Sequence, residues 1–120
     1  MDRGFDLSAA RCSATTAAEF ADHDLMLDVF RHRALVAVVE AGDRLDQLTA
    51  GGASHDKAWN ACAVDLVHAS RMHCYYVLLR GFVAEVRTVE DAAVRKALGN
   101  LCSLFALQNT LENIDLLVGY

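Results

Sequence analysis

Proline is absent from this 120-residue chain. At average usage, a globular domain of this length would carry about six prolines. A proline in a helix interior costs about 3 kcal/mol, so its absence favours long, uninterrupted helices. No segment alternates apolar and polar residues over a strand's length between hairpin turns. The sequence therefore predicts an all-α fold.

Other absences restrict the possible partners and compartments. The net charge of −5 offers no attraction to nucleic acid or anionic lipid. No apolar run approaches the roughly 18 residues of a membrane span, and no signal-peptide core follows Arg3, so we expect neither a span nor secretion. The four cysteines (Cys12, Cys62, Cys74 and Cys102) form no C-x-x-C pair and are predicted to be buried free thiols. The hydrophobic content of 54% indicates an apolar partner rather than an ionic one.

The first long helix is predicted to begin near residues 22–24, where acidic side chains suit the positive end of the helix dipole. Gly51 and Gly52 are expected to end it. Its predicted apolar stripe consists of Leu25, Val29, Leu35, Val36, Val39 and Leu45. Asp28, Arg31 and Arg33 are predicted to point outward.

A second helix is predicted to run unbroken from about residue 55 to residue 87, with Ser54 as its N-cap. Its apolar residues form two stripes along its length. One contains Trp59, Cys62, Ala63, Leu66, Ser70, His73 and Val77, and the other contains Val64, Val67, Tyr75, Leu78, Phe82 and Val86. A third helix is expected to start at Thr88, with Asp91 completing a capping-box-like motif. A helix that is apolar on two faces packs on two sides, so the second helix is predicted to be central.

Three such helices, joined by short loops, predict an antiparallel up-down bundle that follows a loosely ordered lead-in at residues 1–20. Three helices leave the second stripe, together with Leu104, Ile114 and Leu117, partly uncovered. We therefore expect an incomplete four-helix-type bundle. A further helix or a partner subunit would cover the remaining apolar surface.

The polar residues of the central helix do not assemble a reactive site. His68 and His73 are five residues apart and point in different directions on a helix, as do His73 and Cys74. We therefore predict no catalytic, cofactor-binding or metal-binding residue, although a metal-binding bundle around these three residues stays an alternative. His73 is predicted to be buried and hydrogen-bonded to a neighbouring helix. Asp65 lies one helical turn before His68 and could interact with it, or it could cap or pair with another helix. Trp59 is predicted to anchor a loop or another domain.

Several blocks of the chain resemble the C-terminal helical domain of acyl-CoA oxidases. The matching residues are Phe30, Arg31, Arg33 and Ala34, then Ala58, Trp59 and Asn60, then residues 64–67, Ala69, His73, Cys74, Tyr76 and Val77. Residues 101–107 resemble the family's L-C-x-L-[YF]-A-L pattern. The spacing between the blocks also matches, so the resemblance spans about residues 24–118 and predicts a domain over residues 21–120 that is incomplete at its C-terminal end.

The resemblance implies a dimeric flavoenzyme of fatty-acid β-oxidation, which uses FAD and O₂ to convert acyl-CoA to trans-2-enoyl-CoA and H₂O₂. The family's catalytic glutamate and flavin-binding segments match no stretch of this chain, so FAD and acyl-CoA are expected only in the full enzyme. Its remaining domains or a second subunit would be the partners. The interface candidates are Trp59, Asp65, His73, Tyr76 and Phe105.

Two hypotheses from different classes follow. In the first, the chain is a fragment of a peroxisomal-type acyl-CoA oxidase, inactive alone, and located in the peroxisome of a eukaryote or the cytoplasm of a bacterium. In the second, it is a stand-alone α-helical interaction module without catalytic activity. A flavin spectrum or peroxide release from the purified chain would indicate oxidase chemistry. Self-association without either signal would favour the interaction module.

Overall fold

The fold is described here for residues 22–117 of a computed structural model. The helices are α1 (His23–Ala50), α2 (His55–Ala61), α3 (Ala63–Thr88) and α4 (Ala92–Glu112), followed by a 3-10 turn at Ile114–Leu117. This part of the chain contains no strand, and the all-α prediction is confirmed. The predicted lead-in at residues 1–20 lies outside the described residues.

Both ends of α1 lie where the sequence predicted them. The Asp22 side chain accepts a hydrogen bond of 2.8 Å from the Asp24 amide, which satisfies one of the free N–H groups of the first turn. Gly51 caps the other end. The next residue, Gly52, has a φ of 95°, a conformation that side chains with a Cβ rarely adopt. A glycine pair therefore ends α1 by supplying the one left-handed residue that the turn needs.

The prediction of one unbroken helix over residues 55–87 is wrong. Cys62 has φ −95° and ψ 4°, and this non-helical residue separates α2 from α3. The Cys62 amide still donates to the Ala58 oxygen (3.1 Å), and its carbonyl accepts from the Leu66 amide (2.9 Å). The Cys62 side chain is fully buried. Because no glycine or proline marks this break, the sequence pattern gave no sign of it.

The start of the last long helix also differs from the prediction. Thr88 is the final residue of α3, and its hydroxyl donates to the Glu85 oxygen at 2.7 Å. Asp91 is the N-cap of α4 and accepts from the amides of Ala93 (2.9 Å) and Val94 (3.2 Å). A carboxylate that accepts two hydrogen bonds and carries a charge complementary to the helix dipole is the stronger cap.

Two ion pairs between α1 and α3 show how the two helices are oriented relative to each other. Arg87, at the end of α3, lies 2.6 Å from Asp24, at the beginning of α1. Arg44, late in α1, pairs with Asp65, early in α3. The two helices therefore run antiparallel over most of their length.

The fourth helix packs beside the first half of α1. The Nε2 atom of His23 lies 3.1 Å from the Gly99 carbonyl oxygen and 3.0 Å from the Ser103 hydroxyl oxygen. Further along both helices, Arg33 of α1 contacts Asn109 of α4. The two helices therefore run in the same direction, and α4 accompanies α1 only over its first part.

A single face of α3 is buried, rather than the two faces that were predicted. The buried residues of this helix are Ala69, Met72, Leu79, Val83 and Val86. At about 100° per residue they form one stripe, which falls between the two predicted stripes and shares only Val86 with them. The helix is apolar on several sides, so its periodicity did not decide which side faces α1.

Two clusters of buried side chains form the core. The larger one joins α1, α3 and α4 through Met26, Val29, Phe30, Leu79, Val83, Cys102 and Ala106. The smaller one joins α1 and α3 through Ala34, Ala37, Ala69 and Met72. Burial raises the pKa of the Cys102 thiol, which therefore stays protonated and packs as a small apolar group. Residues 22–117 form an elongated body that measures 59 × 27 × 26 Å.

Candidate interaction surfaces

Arg33 lies at the centre of the three-helix contact, although the sequence predicted an outward-pointing side chain. It is completely buried. Its guanidinium donates to the Asn109 backbone oxygen (3.1 Å) and to the Asn109 side-chain oxygen (2.5 Å). The guanidinium carbon lies 4.4 Å from the centroid of the Phe30 ring and 5.8 Å from that of Tyr75. A cation between two aromatic rings gains electrostatic attraction, and this environment makes burial of the charge possible.

Burial lowers the pKa of Arg33 to about 10, against smaller opposing effects from Tyr75 and Asp115. The guanidinium is therefore still charged at neutral pH. Its Nε atom is buried without a hydrogen-bond partner among the described residues. Arg33 is thus a structural cation that links α1 to α4, and the outward position predicted for it is wrong.

Two of the interface candidates contact neighbouring helices. Asp65 forms the ion pair with Arg44 of α1, and this hydrogen bond raises the pKa of Arg44. Pairing with another helix was one of the open alternatives for Asp65. Phe105 is half-buried on α4, with its ring centroid 6.2 Å from that of Phe30. Both residues hold helices together within this chain.

Of the other three candidates, two are exposed and one is half-buried against the core. Trp59 is 44% exposed on α2, with its ring 5.6 Å from the His55 ring. His73 is exposed rather than buried, because the α3 stripe that faces α1 passes to one side of it. Tyr76 is half-buried and packs against the larger core cluster, and Arg80 lies 5.4 Å above its ring. An interface role for these residues stays a prediction.

His73, Tyr76 and Arg80 also line an open groove between α1 and α3, with a volume of about 490 Å³. We call it the α1–α3 groove. Its lining residues are Arg31, Ala34, Leu35, Val38, His73, Tyr76 and Arg80. Sequence reasoning missed this feature, although positions 73, 76 and 80 have helical spacing and share one face of a helix.

The outer face of α4 carries a row of exposed apolar side chains. Val94, Leu101, Leu104 and Leu111 are 47%, 57%, 61% and 70% exposed, respectively. Together with Ala97 and Gln108 they recur every three or four residues, the spacing with which a helix packs against another helix. We call these six residues the α4 outer stripe. Leu104, Ile114 and Leu117 had been predicted to be partly uncovered. Leu104 and Ile114 are exposed, whereas Leu117 is half-buried and packs against the larger core cluster.

Reactive groups are not clustered in the described part of the chain. Within residues 22–117, no group of three His, Cys, Asp or Glu side chains is placed to hold a metal ion. His68 and His73 belong to different pockets, and Cys74 is exposed, contrary to the prediction of a buried thiol. The same residues include no helix long and apolar enough to cross a membrane.

Comparison with known proteins identifies the family. The acyl-CoA oxidase family model matches residues 22–120, which is most of the chain. The chain belongs to the acyl-CoA oxidase family. The blocks that carried the sequence resemblance include Phe30, Arg33 and Cys102, which are all buried where α1, α3 and α4 meet.

Relatives in this family are much longer than the present chain. The peroxisomal acyl-coenzyme A oxidase 1 of Phascolarctos cinereus is 34% identical over 90 residues, which are 75% of this chain and 14% of the relative. The peroxisomal acyl-coenzyme A oxidase 2 of Rattus norvegicus is 30% identical over 105 residues, covering 87% of this chain and 15% of that enzyme. The chain therefore spans about a seventh of the curated acyl-CoA oxidases that it matches.

A solved structure from the family has the same fold. The crystal structure of acyl-CoA oxidase 3 from Yarrowia lipolytica matches 92% of this chain and 16% of its own, with a TM-score of 0.79 and 25% sequence identity. The helices described here thus correspond to a helical part of an acyl-CoA oxidase.

Proposed function

We propose that this chain acts as the C-terminal helical packing and dimerisation domain of a peroxisomal-type acyl-CoA oxidase. The observation that carries the proposal is the combination of family membership with the exposed α4 outer stripe. An apolar row of this length on a small protein is typical of a surface that another element covers. In this proposal the chain forms an incomplete four-helix-type bundle, completed by the rest of the oxidase or by a second subunit.

The proposed biochemical context is the oxidation of acyl-CoA to trans-2-enoyl-CoA, with FAD and O₂ as co-reactants and H₂O₂ as the second product. FAD would be bound in the full enzyme, and the chain alone would carry neither flavin nor activity. The peroxisome is the proposed compartment in a eukaryotic cell. This proposal is supported by the names of the relatives, which are peroxisomal acyl-coenzyme A oxidases.

A reconstitution experiment tests the proposal. The chain is supplied to a related oxidase from which the matching segment has been removed, and flavin absorbance and peroxide release from an acyl-CoA are measured. We expect neither signal from the chain alone, and recovered flavin binding when both parts are present. Peroxide production by the purified chain alone would contradict the proposed inactivity.

The stand-alone interaction module is the second candidate, and the same exposed stripe supports it. In that case the chain would associate with itself and would not bind the truncated oxidase. A variant carrying Leu101→Glu and Leu104→Glu serves as the control, because it should lose whichever association the stripe provides. Binding to the truncated oxidase that is abolished in this variant would favour the oxidase domain.

A further inference from the structure

The α1–α3 groove brings basic and aromatic side chains together on an otherwise acidic protein. The chain carries a net charge of −5, yet the part of the groove lining that residues 22–117 form includes two arginines and a histidine and no carboxylate. Arg31 is paired with Asp28 at 3.7 Å. A local excess of basic groups against the overall charge favours an anionic ligand.

Arg80 is the basic group best placed to meet such a ligand. It is exposed, its guanidinium lies 5.4 Å above the Tyr76 ring, and it forms no ion pair within the described residues. A guanidinium that stacks on a ring is held in orientation while its N–H groups stay free at the edges. Such a fork matches the two oxygens of a carboxylate or phosphate.

The remainder of the groove is apolar. Ala34 is buried and Leu35 half-buried on α1, and the half-buried Tyr76 ring lies opposite them on α3. The groove volume of about 490 Å³ is within the range of sites that take small organic molecules. An apolar floor beside arginine donors suits a ligand that is itself part apolar and part charged.

We propose that the α1–α3 groove binds a small amphiphilic oxyanion, in which a phosphate or carboxylate group is attached to an apolar body. The oxyanion contacts the guanidinium of Arg80, and the His73 ring, in the same lining, offers a further hydrogen-bonding group. The apolar body covers Leu35 and the Tyr76 ring. This inference is independent of the proposed oxidase function.

Binding is tested by calorimetric titration of the full 120-residue chain, at low ionic strength, with hexyl phosphate and with hexanoate. Two control ligands are titrated in the same way: inorganic phosphate, which has the oxyanion but no apolar body, and hexanol, which has the apolar body but no oxyanion. We expect saturable 1:1 binding of at least one amphiphile, about tenfold tighter than either half-ligand, because both parts contribute contacts. The ratio of the two amphiphile affinities identifies the preferred oxyanion.

Three variants locate the site, and two of them are matched in charge. Arg80→Gln should weaken binding about tenfold, because it removes the charged donor. Arg71→Gln removes an exposed arginine of the same helix that lies outside the groove, and it should leave the affinity unchanged. Val38→Glu should also weaken binding, because it adds a negative charge to the lining. Circular dichroism confirms that each variant is folded.

Three results would overturn the proposal. The first is the absence of saturable binding of both amphiphiles. The second is inorganic phosphate binding as tightly as hexyl phosphate, which would mean that the apolar floor contributes nothing. The third is an equal loss of affinity in the Arg71→Gln and Arg80→Gln variants, which would reflect net charge rather than a site.

Discussion

Arg33 connects side chains from three helices, and its position explains its energetic role. Its partners are Phe30 on α1, Tyr75 on α3 and Asn109 on α4. Taking a guanidinium out of water is costly, and the rings and the two Asn109 oxygens offset that cost only while all are present. Loss of one partner should therefore destabilise the fold more than loss of the charge itself.

Replacing Asn109 tests this expectation. Asn109→Ala removes the side-chain acceptor from a buried charged donor and should lower the free energy of unfolding by about 2 kcal/mol. Adding Arg33→Met to it should recover at least about 1 kcal/mol, because the unsatisfied cation is gone. Urea unfolding measures both values, with the exposed neighbour Gln108→Ala as a control near zero. An additive double variant would contradict the coupling.

His32 is expected to make stability depend on pH. The side chain is buried, and desolvation lowers its pKa from 6.5. The unfolded chain then binds more protons than the folded chain near and below pH 6.5, so stability is lost as the pH falls through that region. We expect the urea midpoint to drop between pH 7.5 and about pH 5.5. His32→Gln should flatten that part of the profile, whereas the exposed His55→Gln should not.

Single-residue positions were the least predictable from the sequence. Arg33 was predicted to point outward because it is charged. His73 was predicted to be buried because it lies among apolar residues. The structure reverses both, because burial of Arg33 depends on Phe30, Tyr75 and Asn109, which are brought together only by the folded helices. Such partners come from distant parts of the chain, and a local pattern does not contain them.

At the scale of helices, the caps provide a direct comparison between the predicted and the observed start of α4. Asp91→Ala should cost about 1 kcal/mol of unfolding free energy, since its carboxylate accepts from two amides of the first turn. Thr88→Ala removes only a hydroxyl that donates back into α3, and its cost should be smaller. Asp91→Asn should keep most of the stability. An equal loss for both alanine variants would restore Thr88 as a cap.

Helix ends were predictable where a residue has a strong conformational or capping preference. Asp22, Ser54 and the glycines after α1 mark real ends, and the structure has the corresponding hydrogen bonds or a positive φ. The break at Cys62 was not predictable, since cysteine has no such preference. The choice of buried face on α3 was also undetermined, because a helix rich in apolar residues offers several nearly equivalent stripes.

At the scale of the whole molecule, the α4 outer stripe should control association. A concentrated solution of the chain is expected to contain oligomers by light scattering after size-exclusion chromatography. Leu101→Glu with Leu104→Glu should shift it toward monomer, because each buried leucine would contribute roughly 2 kcal/mol to an interface. The matched control is Lys96→Glu, which changes the net charge by the same amount as the double variant but lies outside the stripe. A strictly monomeric wild-type chain would contradict self-association through this surface.

The short helix α2 has a consequence for local stability. It has seven residues, far fewer than a helix needs to persist by itself in water, and its only fully buried position is Ala58. The amides around Trp59 should therefore exchange with solvent through local opening, well before those of α1 and α3. A partner that covers the Trp59 ring would slow that exchange without altering the core. Hydrogen exchange at this end of the protein is thus a sensitive reporter of docking.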